Sequence, residues 1–493
     1  GTTSIDAALK TLIAKDKARG LTTQVVHLDD ATAMKAFGGQ AVTTASSAKQ
    51  NKAAIDAIYA KRTPDYLMIL GATDVIPQVP LRNSMPNDGD PYAYGDLPYA
   101  CNAPYSTDPA KFLGPTRVLG RLPDLVASTD PSYLSRLINS AANAKSRPAA
   151  TYANAFAITA QVWHASTQLS MTNIFGNASA LKDCPPGGPT WTASQLSKPS
   201  FFVNCHGASA SPDFYGQKGS SYPVALGAAD IASKGLSSGA IASVECCYGA
   251  ELYDPSLSGG QPGLCSTFLA EGGYGFFGST TIAYGPASGN GAADLITQDF
   301  LKSVLKGASL GRATLQARQT FIGGAGSLNP VDLKTIAQFY LLGDPSVHPV
   351  QLVQTASPKS LSKLTAGLSS KVINLDGQRS SRRQDLANAG QALGGAAAYS
   401  KLAKKARPTA SVAKALRGIA AKLQLSDHSI ASFDVRGGML AKSMLAKSAP
   451  KRTFHVLDGD AKTPASAPFV HRIAVVAEEA GGKIISLREY HRR

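Results

Sequence analysis

Apolar positions in this chain fall into short blocks closed by glycine, alternating with stretches of helical spacing. Residues 5–18 place Ala7, Leu9, Leu12 and Ile13 on one side, which predicts a helix. Residues 24–28 read as a short strand. Residues 47–61 read as a second helix with a serine at its start, and 66–70 as a buried strand closed by Gly71. Residues 78–117 are rich in Pro, Asn, Asp, Gly and Tyr and carry little regular pattern, as functional loops do. A helix over 131–145 closes this first unit, and Pro148 marks its boundary.

The second unit opens with a strand over 155–163 and continues through two apolar blocks around 201–203 and 240–244. A helix at 262–271, a strand at 274–279 and helices at 292–306, 309–321 and 331–341 follow. Leu342-Gly343-Asp344-Pro345 supplies the stop signals. Helices alternating with short buried strands predict an α/β fold with mostly parallel sheets flanked by helices. Residues 355–383 read as a Ser-, Lys- and Gly-rich linker. Beyond it come helices at 384–406 and 410–423, strands at 429–435 and 453–457, and a hairpin of 469–478 with 483–490 turned by Ala480-Gly481-Gly482. The chain therefore divides into units 1–148 and 149–352, a linker 353–383 and a smaller α+β module 384–493.

Charge sharpens that division. Residues 351–493 hold 24 Lys and Arg against 9 Asp and Glu, whereas the other positions hold 25 against 24. Nearly all of the net +16 thus sits in residues 351–493, the linker and the last module together, which points to an anionic partner or surface. Lys401, Lys404, Lys405, Arg407, Lys414, Arg417 and Lys422 recur through its expected helices, and an ordinary solvated face accounts for such a run equally well. A third use is inhibition, a Lys or Arg of this module plugging an acidic pocket. No nucleic-acid motif is present. No run approaches the roughly 20 apolar residues of a membrane span. The start, Gly1-Thr2-Thr3-Ser4, has neither the basic head nor the apolar stretch of a signal peptide. The six cysteines permit disulfides without requiring them, and none is spaced as a zinc ligand pair.

Two of the apolar blocks carry the candidate chemistry. Phe201-Phe202-Val203-Asn204-Cys205-His206-Gly207 delivers an imidazole, and Ala240-Ile241-Ala242-Ser243-Val244-Glu245-Cys246-Cys247-Tyr248-Gly249 a thiol. Functional groups of α/β sheets collect at the carboxyl ends of strands, so His206 and a cysteine are expected at one edge. Alternation turns Cys205 to the other face, and Cys246 competes with Cys247 for the role of nucleophile. Either His206 or Cys247 taken alone reads equally as a core residue. The backbone N–H groups of Gly207 and Cys247 are candidates to hold an oxyanion, glycine allowing a substrate carbonyl to approach closely.

These blocks resemble the caspase–legumain–gingipain–separase clan of cysteine peptidases. Further stretches are similar to the gingipain family: residues 66–77, Gly95-Asp96-Leu97-Pro98-Tyr99-Ala100, Val118-Leu119-Gly120-Arg121-Leu122-Pro123, residues 272–280 and residues 339–346. The resemblance covers about residues 1–350 and leaves the remainder unassigned. It implies a caspase-like fold of two subdomains and an endopeptidase in which Cys247 attacks and His206 moves the proton. The clan's spacing favours Cys247 over Cys246. It implies Asp74 as an orienter of His206, against the plainer reading of a turn aspartate. It implies Asp96 and Glu245 as the floor of a pocket for Arg or Lys before the cleaved bond, with Asp90 an alternative to Asp96. His164 reads as structural.

Polypeptide is then the substrate, no cofactor is required, and calcium enters only through gingipain relatives, since no EF-hand-type loop is visible. The same resemblance favours a secreted or cell-envelope location. Arg379, Arg382 and Arg383 in the linker would be sites of self-processing. The alternative is an inactive caspase-like scaffold whose basic module binds an anionic partner.

Overall fold

The computed structural model describes residues 2–325, 327–351, 400–405, 407–437 and 452–493. The expected linker with Arg379, Arg382 and Arg383, and residues 384–399 of the helix expected over 384–406, lie outside these residues.

Eight short strands, the inner six wholly buried, make one sheet. Its order is Leu67–Leu70, Leu119–Leu122, Phe339–Gly343, Gly275–Ser279, Ile241–Val244, Ser200–Asn204, Ala155–Ala160, Leu181–Cys184. All neighbours are parallel except Phe339–Gly343 and Gly275–Ser279, which run antiparallel. Two parallel blocks of opposite direction thus share one sheet, and their carboxyl ends open on opposite edges. Residues that follow Leu67–Leu70, Leu119–Leu122 and Phe339–Gly343 therefore leave the sheet at the edge opposite to residues that follow the other five strands.

Both faces are covered by helices, so the strands read as continuous apolar runs. On one face Phe202, Ile241 and Phe277 pack against helices Ala293–Leu305, Leu310–Gly324 and Pro330–Gln338. On the other, Phe201, Val203, Ala242, Val244 and Phe276 meet helices Thr2–Ala18, Ser132–Ala142, Ala228–Lys234 and Leu264–Ala270. Alternation along a strand decides which face each residue joins. Cys247 lies in the first cluster, and Cys205 and Cys246 lie in the second. All six cysteines are free and buried.

Two expected elements differ. Residues 24–28 form no strand; Val26 and Leu28 pack against a small cluster of Met34, Val42 and Ala54, and Leu28 also touches the main core. The helix expected to 341 stops at Gln338, and Phe339–Gly343 becomes a central strand. Four consecutive apolar residues fit a helix end or a buried strand equally well by pattern.

The last module is antiparallel. Strands Ser400–Lys405, Ser426–Gly437, Arg452–Asp460, Arg472–Ala480 and Lys483–Arg492 follow one another in space, and the last pairs with Tyr284–Gly285 of the preceding unit. Lys401, Lys404 and Lys405 lie on a strand, not on a helix. Helix Ala410–Lys422 packs Val412, Leu416 and Ala420 against Leu457, Ile473, Val475 and Ala477. The opposite face, with Phe454, Val456, Ala474, Val476 and Tyr490, joins the core beneath the main sheet. No helix among the described residues is long and apolar enough to cross a membrane.

Candidate functional site

The strands Ser200–Asn204 and Ile241–Val244 are parallel neighbours and end at the same edge. His206 and Gly207 leave that edge as the first strand of a small antiparallel sheet, His206 opposite Tyr215 and Gly207 opposite Phe214. The turn after Tyr215 brings back Gln217, whose Oε1 lies 2.8 Å from His206 Nε2. The Gln217 amide nitrogen donates to the Gly219 carbonyl at 3.1 Å and to the Tyr222 hydroxyl at 3.0 Å, so its oxygen faces the ring. Nε2 therefore carries the proton, and Nδ1 is left as a bare base. Nδ1 is buried with no hydrogen-bond partner among the described residues. Burial first, and then the neighbouring His471, hold the imidazole well below its usual range, so it is neutral.

Cys247 begins the turn after its strand. Its Sγ lies 3.4 Å from the Ala283 carbonyl oxygen and accepts the Ala283 N–H at 3.3 Å. Burial raises its thiol above the usual value, with Arg492 pulling the other way. The next residue, Tyr248, is held at φ +53°, a conformation that L side chains adopt rarely. Its hydroxyl donates to Asp90 Oδ1 at 2.6 Å, and Asp90 Oδ2 accepts the Ile282 N–H at 2.8 Å. Asp90 thus ties together the two loops that flank the thiol, and it is itself paired with buried Lys334 at 2.7 Å. Gly207 passes so close that a Cβ there would sit 1.8 Å from the Cys247 carbonyl oxygen.

Between these groups lies Arg493. Its main-chain oxygen accepts the N–H of Cys247 at 3.1 Å and of Gly207 at 3.4 Å, while its own N–H donates to the Ala283 carbonyl at 3.0 Å. The guanidinium is fully buried. Its Nη2 donates to the Pro286 carbonyl at 2.7 Å, to Asp294 Oδ1 at 3.0 Å and to Ser166 Oγ at 3.3 Å. Its Cζ stands 4.4 Å from the centre of the Trp163 ring, and Glu245 Oε2 lies 3.9 Å from its Nε. Burial and then the nearby Asp294 push the Glu245 carboxyl well above its ordinary value. Asp294 therefore makes the close charged contact and Glu245 closes the wall. A Cβ on Gly285 would fall 2.4 Å from Nη2, so a glycine is what leaves room for the guanidinium.

The residues read from sequence divide at this point. Gly207, Cys247 and Glu245 are brought together around Arg493, and the His206 ring lies 4.3 Å from the Trp163 ring that the guanidinium also faces. Cys246 is on the opposite face. Asp74 does not reach His206: it follows a strand of the other parallel block, and its Oδ2 accepts the Ala127 N–H at 2.8 Å. Asp96 does not reach this pocket either. Both of its oxygens are taken by Arg121, at 2.7 and 2.8 Å, while Arg121 also holds the carbonyls of Gly71, Ala72 and Ile76. His164 is paired with Asp183. Sequence reasoning missed Asp294, Trp163, Ser166 and Gln217. Asp294 sits in the first turn of a helix, where an aspartate is ordinary, so no pattern distinguishes it. No group of three or more His, Cys, Asp or Glu suited to a metal ion occurs among the described residues.

No family model and no curated protein matches this chain. Among solved structures, one named "Structure of Protease" aligns with a TM-score of 0.42 and 13% identity, over 89% of this chain and 87% of that one. So distant a likeness does not single out the gingipain family.

Two predictions come from this geometry. Asp96→Ala would strand a buried guanidinium and is expected to cost about 3–5 kcal/mol in urea unfolding. Replacing Arg121 by Met in the same chain should recover most of that loss. Glu251 accepts the Ser209 hydroxyl at 2.9 Å and the Ala210 N–H at 2.7 Å, clamping the turn after Gly207. Burial pushes its carboxyl up to about 7. The folded chain then keeps a proton that the unfolded chain releases, so this group's contribution to stability falls as pH rises from about 4.5 to about 7. Glu251→Gln should remove that part of the slope, read as melting temperature against pH for both chains.

Proposed function

We propose that this chain is a cysteine endopeptidase that cleaves after arginine, and more slowly after lysine, with Cys247 as nucleophile and His206 as general base. One observation carries the reading: two N–H groups converge on the main-chain oxygen of an arginine whose guanidinium is buried against Asp294. That is how a scissile carbonyl and the side chain before it are held in acyl transfer. A mixed α/β sheet that carries both groups at one edge is consistent with it.

The chemistry runs as follows. The Cys247 thiol leaves its contact with the Ala283 carbonyl and gives its proton to Nδ1 of His206, as the sulfur forms a bond to the scissile carbon. The carbonyl oxygen takes the negative charge between the Gly207 and Cys247 N–H groups. Collapse breaks the C–N bond, and the imidazolium returns its proton to the departing amine. Water, deprotonated by the same nitrogen, then splits the thioester and restores the thiol. Gln217 fixes the tautomer in which Nδ1 is bare, a positioning role that the sequence reading gave to Asp74. The pocket favours arginine because Asp294, Ser166 and the Pro286 carbonyl meet one end of a planar group that Trp163 stacks on.

The alternative, an inactive scaffold whose basic module binds an anionic partner, rests on charge alone.

A mixed peptide library offered to the whole chain carrying Arg493→Ala, which vacates the pocket, tests the proposal. Cuts after Arg are expected, and none when Cys247→Ala is added. Cuts after other residues, or cuts that survive Cys247→Ala, overturn it. Asp294→Asn should lower kcat/KM for Arg substrates by about 2–5 kcal/mol, on the order of 30-fold or more. Glu245→Gln should cost less than about tenfold, because that carboxyl makes no hydrogen bond to the guanidinium.

A further inference from the structure

We infer that the last strand of the basic module is a built-in inhibitor of this site, bound as a substrate would be, with Arg493 as the residue before the cleaved bond. The inference rests on the function proposed above and concerns its regulation.

The strand Lys483–Arg492 adds to the edge of Tyr284–Gly285 in antiparallel register, Arg492 opposite Tyr284 and His491 opposite Gly285. The Arg493 N–H continues the ladder to the Ala283 carbonyl. This is strand addition, a mode in which main-chain bonds supply affinity and a side-chain pocket supplies selection. Three things distinguish it from a passing substrate. First, the strand is also paired along its length with Arg472–Ala480, so it cannot leave alone without unzipping that sheet. Second, the loop before that sheet strand covers the imidazole: the Phe469 ring lies 4.5 Å from the His206 ring and His471 lies 5.5 Å from it. Arg492 Nη1 in turn donates to the Val470 carbonyl at 3.1 Å, tying the strand to that loop. Third, His206 and Cys247 are both fully buried, and the Arg493 oxygen occupies both N–H groups that another carbonyl would need. An external peptide has to compete with a segment of the same chain, whose local concentration does not fall on dilution.

The test compares the whole chain with its Arg493→Ala and Phe469→Ala variants in two measurements. In the first, Cys247 is alkylated by iodoacetamide and the modified residue is mapped by mass spectrometry. Both variants are expected to react at least about tenfold faster than the parent chain. Equal rates overturn the inference whether or not the chain is a peptidase. In the second, kcat/KM is measured on a short peptide amide ending in arginine. A rise of about tenfold or more in both variants, independent of protein concentration, supports inhibition within one chain. Turnover in the parent equal to that of the variants overturns it and leaves the peptidase reading intact. Faster alkylation without any Cys247-dependent turnover supports the occlusion and removes the proposed function instead.

Discussion

The fully buried Arg493 guanidinium constrains everything around it. Taking such a cation out of solvent costs several kcal/mol unless an anion and hydrogen-bond acceptors meet it. Here three acceptors come from separate places, Asp294 on one helix, Ser166 on another and the Pro286 carbonyl in a loop, and the Trp163 ring lies against the cation's face. The main chain of the same residue is held by Gly207, Cys247 and Ala283. One residue of the basic module therefore specifies the positions of both strand ends, the 283–286 loop and two helices at once.

A second constraint is the direction of the strands. One antiparallel contact, between Gly275–Ser279 and Phe339–Gly343, splits the eight-stranded sheet into two parallel blocks. The rule that chemistry gathers at carboxyl ends applies to each block separately, on opposite edges. His206 and Cys247 share one edge. Gly71 and the loop bearing Asp74 belong to the other, where Arg121 spends its donors on Asp96 and three carbonyls. Asp74 and Asp96, which looked like parts of the site, thus support loops at the other edge, whereas Glu245 and Asp90 stay beside it.

The basic module shows how far composition carries. Its excess of Lys and Arg points outward to an anionic partner, yet the cation that the structure buries meets a carboxylate of the same chain. Arg472, too, is spent within the module, on Asp458 at 2.8 Å and Asp460 at 2.6 Å. Count and clustering describe a surface potential, whereas the pairing of one guanidinium depends on which strand lies beside which loop.

What the sequence determined by itself is local. Apolar blocks closed by glycine located the strands that carry His206 and Cys247. Alternation placed Cys205 away from them, and the Ala480-Gly481-Gly482 turn located the last hairpin. Each is legible because the pleat, a helical turn or a tight turn is a property of a few consecutive residues. It did not resolve whether 339–341 is helix or strand, since a short apolar run suits both. Only the tertiary structure decided that Asp294 and not Asp96 meets the guanidinium, that Gln217 and not Asp74 faces the imidazole, and that Arg493 fills the pocket. Those pairings join residues tens to hundreds of positions apart, and they follow from strand order and direction, which no local pattern encodes.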